Sequence, residues 1–187
     1  MKDTIIIVEG PQGTGKTTVT NYLREEMSAT DLYRLSGIKD RTITGKEKIR
    51  IKYEKLLEYM ENCKDINMVF DRTFFTNEIY ARLGYQDYSF TDVYEKLLAK
   101  LDKIDADIYL VILYLNDEKE FETRLKRDKH EYQKFEVESS IMQQREYLKL
   151  AEEVEKETKN IKVIRLDTSG KDRYKDGLKK YFGHLFK

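Results

Sequence analysis

The feature that most limits what this chain can fold into is a loop near its start, Gly10-Pro-Gln-Gly-Thr-Gly-Lys16-Thr17. It follows an unbroken apolar run, Ile5-Ile-Ile-Val8, and leads into a helical pattern over Thr17–Met27. Its spacing, Gly10-x4-Gly15-Lys16-Thr17, is that of a phosphate-binding loop set between a buried strand and a helix. Glycines are needed there because backbone N–H groups must converge on phosphate oxygens with no Cβ in the way. Gly13 adds a further glycine and Thr18 a further hydroxyl, and Pro11, the only proline in the chain, stiffens the turn. A helix beginning near Gly15 directs its positive end at the phosphates. Lys16 then reaches the β- and γ-phosphates, the Thr17 hydroxyl ligates Mg²⁺, and the ligand expected is ATP or another nucleoside triphosphate.

Further apolar runs rich in β-branched residues read as strands: Thr4–Val8, Asn67–Phe70, Ile108–Leu115 and Ile161–Leu166, with Leu32–Leu35 a weaker fifth. None alternates with polar residues, as expected of parallel strands buried on both faces. Helical patterns fall between them at Lys46–Cys63, Phe90–Ile104, Phe121–Arg127, Phe135–Lys159 and Asp172–Leu185. Strands alternating with helices predict βαβ units, hence an α/β fold with a parallel sheet between helical layers. One domain spanning 1–187 is expected, since no linker or repeat interrupts the 187 residues.

Charge restricts the partners. The 35 basic and 35 acidic residues cancel, so no nucleic-acid polymer and no anionic membrane is expected. No apolar run approaches a bilayer-spanning length and no secretory signal is visible, which reads as a cytoplasmic protein. The lone Cys63 excludes an intrachain disulfide, and His130 and His184 form no catalytic or metal constellation.

Two further segments carry chemistry. Met68-Val-Phe-Asp71-Arg72 ends a strand in a carboxylate suited to Mg²⁺ or to an acceptor hydroxyl, beside a guanidinium able to fork onto phosphate. Arg124 and Arg127 lie three apart in a densely charged helix. Guanidinium groups there stabilise the charge of a moving phosphoryl group, and a helix–turn–helix over about 124–135 is expected to close as a lid. Of the two, Arg124 is the stronger candidate.

With these pieces in order, the sequence resembles the thymidylate kinase branch of the P-loop nucleotide kinases. The resemblance rests on Ile7-Val-Glu9-Gly10 through Thr18, Phe70-Asp71-Arg72-Thr73, and Ala106-Asp107-Ile108 through Leu115. It continues through Arg124 to Arg127, Gln144-Arg145-Glu-Tyr147-Leu, and Ile164-Arg-Leu-Asp167-Thr-Ser169. It implies a three-layer α/β/α P-loop fold with a five-stranded parallel sheet in the order 2-3-1-4-5. It also implies ATP- and Mg²⁺-dependent phosphoryl transfer to a small nucleotide, a deoxynucleoside monophosphate, and a homodimer. In that frame Gly10, Gln12, Gly13, Thr14, Gly15, Lys16, Thr17 and Thr18 hold ATP, and Ser169 lies in a turn near its adenine. Lys16, Asp71, Arg72, Arg124 and Arg127 act in transfer, and Thr17 and Asp71 hold the metal. Glu9, Arg41 and Arg72 face the acceptor, with Phe74, Phe75 and Tyr80 divided between its pocket and the core. Three departures stand out: Gln12 where an acidic residue is usual, Thr73 where tyrosine is usual, and no Arg-Glu-Pro element after the second strand. Related deoxynucleoside kinases carry a glutamate after that strand and Glu-Arg-Ser at the third; this chain has neither. The alternatives are a deoxynucleoside kinase, a P-loop kinase of another small molecule or of nucleic-acid 5′ ends, a GTPase lacking its Asn-Lys-x-Asp element, and a P-loop binder without transfer.

Overall fold

The computed structural model describes residues 2–128 and 134–187, with side chains in the second segment from 136 onward. His130 and part of the expected lid lie outside them. Along the chain run β1 (Thr4–Glu9), α1 (Lys16–Glu26), β2 (Thr30–Arg34), α2 (Ile43–Asn62), β3 (Asn67–Asp71), α3 (Phe74–Arg82) and α4 (Thr91–Asp102). They continue with β4 (Asp107–Tyr114), α5 (Glu120–Asp128), α6 (Lys134–Glu157), β5 (Ile161–Asp167) and α7 (Arg173–Phe182). The five strands are parallel in the order β2-β3-β1-β4-β5, as expected.

Alternation of Cβ direction along β1 explains why its sequence is unbroken. Ile5 and Ile7 enter one core with Tyr53 and Leu57 of α2, Phe74 and Phe75 of α3, Leu97 of α4 and Leu150 of α6. Ile6 and Val8 enter the opposite core with Val19 and Leu23 of α1 and Leu178 and Phe182 of α7. Every β1 residue is therefore buried. The edge strand β2 pairs only with β3 and is half exposed, so its Thr30-Asp-Leu-Tyr-Arg34 sequence is polar. It starts and ends earlier than the Leu32–Leu35 run suggests. β3 extends to Asp71, which pairs with Val8 on one side and Arg34 on the other. The predicted last helix is divided: α7 stops at Phe182 and a 3₁₀ turn follows over Gly183–Leu185. No helix among the described residues is long and apolar enough to cross a membrane.

In this strand order the connections from β1 and β3 leave toward different layers at the carboxyl edge of the sheet. That edge is where open α/β sheets form ligand crevices. Glu9, Arg34 and Asp71 are the last residues of β1, β2 and β3.

Candidate active site

The loop after β1 turns its carbonyl groups outward, and each from residue 10 to 14 has a partner. Lys16 Nζ donates to Gly10 O at 2.7 Å and Pro11 O at 2.9 Å. The Ser140 hydroxyl donates to Gln12 O at 3.3 Å, Arg124 to Gly13 O at 3.1 Å, and the Thr168 hydroxyl to Thr14 O at 2.6 Å. Anchoring the carbonyls from α5, α6 and the turn after β5 frees the loop's N–H groups to form an anion cradle. Gly10 is obligatory, because a Cβ there would lie 2.8 Å from the Leu113 carbonyl oxygen of β4. Gly15, at φ +87°, caps α1 without a side chain.

This cradle opens on a cavity of about 470 Å³ whose walls include Gln12, Gly13, Gly15, Lys16, Thr17, Thr18, Asp71, Arg72 and Arg127. Arg34 completes it, a residue the sequence reading passed over. Its guanidinium donates to Asp71 Oδ2 at 3.3 Å, to Thr20 Oγ1 at 3.5 Å and to Asn21 Oδ1. Arg34 faces Asp71 in register across the β2–β3 pair, so being the last residue of the edge strand was the available signal. Among the described residues no group of three or more His, Cys, Asp or Glu could hold a metal ion. Magnesium that arrives with a nucleotide needs only one or two protein oxygens besides phosphate and water. Thr17 and Asp71, both oxygen donors on this cavity, fit that demand.

A second cavity, about 370 Å³, adjoins the first and shares Leu35 and Arg72 with it. Lys39, Arg41, Tyr53, Asn77, Tyr80, Tyr85 and Gln86 are among its other walls. Its described walls carry three cations and no carboxylate. The side chains of Lys39, Arg41 and Arg72 have no hydrogen bond or ion pair among the described residues. The segment carrying Lys39 and Arg41 is fixed by close packing on α2: a Cβ on Gly45 would fall 1.9 Å from the Asp40 carbonyl oxygen. The Asp87 amide also donates to Arg41 O at 2.9 Å.

Arg72, between the two cavities, adopts φ +70°, uncommon for a side-chain-bearing residue. Two bonds hold it there. Its own N–H donates to Val8 O at 3.1 Å, and the next amide, Thr73 N–H, donates to Glu9 Oε1 at 2.7 Å. Glu9 is completely buried, and its other oxygen accepts the Thr76 hydroxyl at 2.6 Å. The carboxylate thus sits at the N-terminus of α3, where helix amides favour negative charge. It lines neither cavity. Burial pushes the Glu9 carboxyl up to about 7, against the bonds from Thr76 and Thr73 and the charges of Arg72 and Lys16. In the unfolded chain it ionises near 4.5. Because the folded value is the higher one, its contribution to stability is full below about 4.5 and is lost as pH rises through 7. Glu9→Gln should therefore gain on the wild type by ~1 kcal/mol or more between pH 5 and 7.5, read from urea unfolding curves. Identical pH dependence in the two proteins would show that Glu9 is not a protonated buried acid.

Other candidates are placed as follows. Gly10 and Thr14 shape the cradle from behind; Thr14 Oγ1 donates to Pro11 O at 2.7 Å. Phe74 and Phe75 stack on each other with centroids 4.5 Å apart and are buried in the core; neither is among the walls of these two cavities. Two consecutive aromatics are hidden because Tyr94 of α4 packs on both rings and Tyr53 of α2 packs on Phe74. Tyr80 and Arg41 line the second cavity. The two lid arginines separate. Arg127 borders the phosphate cavity, whereas Arg124 is absent from its walls and binds backbone instead. Besides Gly13 O, Arg124 donates to Thr168 O and ion-pairs with Glu120 at 3.1 Å. Glu120 in turn accepts the Gly170 amide at 2.8 Å. Spacing alone placed both on one face; in the structure Arg127 is among this cavity's walls and Arg124 lies against the loop at Gly13. Ser169, beside this knot, accepts the Asp117 amide at 3.3 Å.

Fold and cradle together define a P-loop nucleotide-binding protein. A family model described as "ATPase family associated with various cellular activities (AAA)" matches residues 6–139, and the chain belongs to that family. No curated protein sequence matches it. Among solved structures it is similar to thymidylate kinase from Candida albicans, with a TM-score of 0.66 and 13% identity over 98% of this chain and 92% of that one. It is also similar to deoxyadenosine kinase from M. mycoides with dCMP and dCDP bound, with a TM-score of 0.65 and 14% identity over 96% and 99%. Shikimate kinase from Acinetobacter baumannii follows at a TM-score of 0.51 and 16% identity, over 99% and 94%. The fold is thus that of the P-loop kinases.

Proposed function

We propose that the chain is an ATP- and Mg²⁺-dependent nucleoside monophosphate kinase. The observation that carries this reading is the pair of cavities meeting at Arg72, one a triphosphate cradle and the other cationic. ATP occupies the first, its phosphates on the loop amides and Lys16. Thr17 and Asp71 would hold Mg²⁺, which would supply charge neutralisation on the phosphates. The acceptor lies in the second cavity with its phosphate against Arg72, and Arg41 and Lys39 add attraction. From between the cavities, Arg72 lines up the two reacting phosphates, which is most of what phosphoryl transfer requires. Arg127 approaches from α5.

A nucleoside acceptor is supported less well. Its hydroxyl calls for a nearby base, and the described walls of the second cavity carry no carboxylate, while Asp71 on the first is needed there for the metal. A small carboxylate-bearing acceptor would suit the cations too, but leaves the rings of Tyr53, Tyr80 and Tyr85 without a flat partner. The deciding experiment measures ADP release with ATP, Mg²⁺ and each of the four deoxynucleoside monophosphates, their nucleosides, and shikimate. Turnover is expected with at least one monophosphate. ATP binding with no monophosphate turned over would sink the proposal.

A further inference from the structure

The buried stripe of α6 changes character along its length. From Leu150 onward it is apolar, with Leu150, Ala151 and Val154 in the core. Before that its buried residues are Ser140, Gln144 and Tyr147, spaced four and three apart and therefore on one face. A helix that only covers a sheet buries apolar residues there, since a buried polar group is costly unless it is bonded. These three are bonded, each to a different part of the site. The Ser140 hydroxyl donates to Gln12 O at 3.3 Å. The Gln144 amide grips Leu115, just past β4, accepting its N–H at 2.8 Å and donating to its carbonyl at 3.0 Å. Thr76 gives its own proton to Glu9, so the Tyr147 hydroxyl acts as donor, 3.0 Å from Thr76 Oγ1 and 3.5 Å from Glu9 Oε2.

None of the three is among the walls of either cavity, yet their partners are. Gln12 is a wall of the first and Thr76 of the second. Glu9 holds the Thr73 amide, and with it the left-handed turn at Arg72 that the two cavities share. Ser140 and Tyr147 lie about 10 Å apart along the helix axis, so one rigid element spans the site from the phosphate loop to the Arg72 turn. Buried, bonded networks of this kind rigidify the groups they join. Transfer between two bound phosphates is sensitive to their spacing, and a misplacement of about 1 Å can cost about a hundredfold in rate. Each cavity keeps its own walls when these side chains are truncated. Their loss therefore loosens one cavity against the other and empties neither.

Resting on the nucleotide-kinase reading, we infer that Ser140, Gln144 and Tyr147 are positioning residues that fix the phosphate cradle against the Arg72 turn, so that kcat depends on them and affinity for either nucleotide does not. Tyr147→Phe keeps the ring in the core and removes the hydroxyl at one end of the span; Ser140→Ala removes the bond at the other. Val154→Ala, in the apolar half of the same stripe, is the control that lowers stability alone. The first readout is amide hydrogen exchange at Thr73, taken relative to the amides of β1. It should speed up by about fivefold or more in Tyr147→Phe and keep the wild-type ratio in Val154→Ala. The second is kinetic, with ATP and the deoxynucleoside monophosphate turned over fastest. Ser140→Ala combined with Tyr147→Phe should lower kcat by about tenfold or more. Calorimetric Kd values for ATP alone and for the monophosphate alone should stay within about twofold, which also shows that the variant is folded. Tyr147→Phe is carried through every assay by itself, so a poorly folding double variant does not shield the inference. An unchanged exchange ratio at Thr73, a wild-type kcat, an affinity loss that accounts for the slower rate, or an equal loss of kcat in Val154→Ala overturns it. Faster exchange at Thr73 in a protein that turns over no monophosphate supports the positioning network and refutes the kinase reading. Turnover by the wild type with exchange unchanged in Tyr147→Phe does the reverse.

Discussion

Lys16→Met is expected to lose roughly a thousandfold or more in phosphoryl transfer, the scale of removing a charge-stabilising donor from a preorganised site. The lysine is buried, with Nζ on the carbonyls of Gly10 and Pro11. Burial, together with the nearby Arg72 charge, lowers its pKa to about 7, while Asp71 and Glu9 pull the other way. Methionine keeps the length and apolar bulk of the stem, so the fold should survive. The pKa gives the loss a distinct signature. Polyphosphate beside the amine favours its charged form and raises the value. Near pH 8 the free protein holds Lys16 mostly neutral, so ATP binding should take up a proton; well below pH 7 it should not. Calorimetry in two buffers of different ionisation enthalpy measures that uptake, which Lys16→Met should abolish. Transfer at the normal rate by the variant would mean that the loop does not hold the reacting phosphates.

Legibility in the sequence followed burial and local spacing. β1 was plain because both its faces are covered, giving Ile5-Ile-Ile-Val8, and the cradle was plain because its chemistry lies within eight consecutive residues. β2 was faint because an edge strand meets solvent, and Arg34 was missed with it. The second cavity draws on residues 35–41, 53, 72–80 and 84–86, which no local pattern joins. Asn77 and Gln86 look like ordinary surface amides until the fold buries their oxygens. Periodicity likewise cannot tell an aromatic on the core side of α3, such as Phe74, from one on the cavity side, such as Tyr80. Arg124 and Arg127 differ by about 60° around α5, enough to send one guanidinium to the Gly13 carbonyl and the other to the cavity.

Arg72→Gly should separate stability from activity. At φ +70° a residue with a Cβ is strained by roughly 1–2 kcal/mol, and glycine is not. The guanidinium has no hydrogen bond or ion pair among the described residues, so truncation gives up no bond to any of them. Glycine's greater freedom in the unfolded chain returns about 0.5–1 kcal/mol of that gain. The variant should thus be as stable as the wild type or up to ~1 kcal/mol more so, and more stable than Arg72→Ala, which keeps the strain. Both should lose about a hundredfold or more in kcat/KM for the monophosphate, because the cation shared by the two cavities is gone. The same charge depresses the Lys16 pKa, so its removal should move proton uptake on ATP binding to higher pH. Denaturant unfolding, kinetics and two-buffer calorimetry read the three effects separately. Glycine less stable than alanine would show that the backbone at 72 is not strained, and normal transfer would remove Arg72 from the reaction. If both hold as expected, the protein keeps a strained arginine, unpaired among the described residues, where a relaxed glycine would fold better, and its reason is the phosphate that the arginine meets.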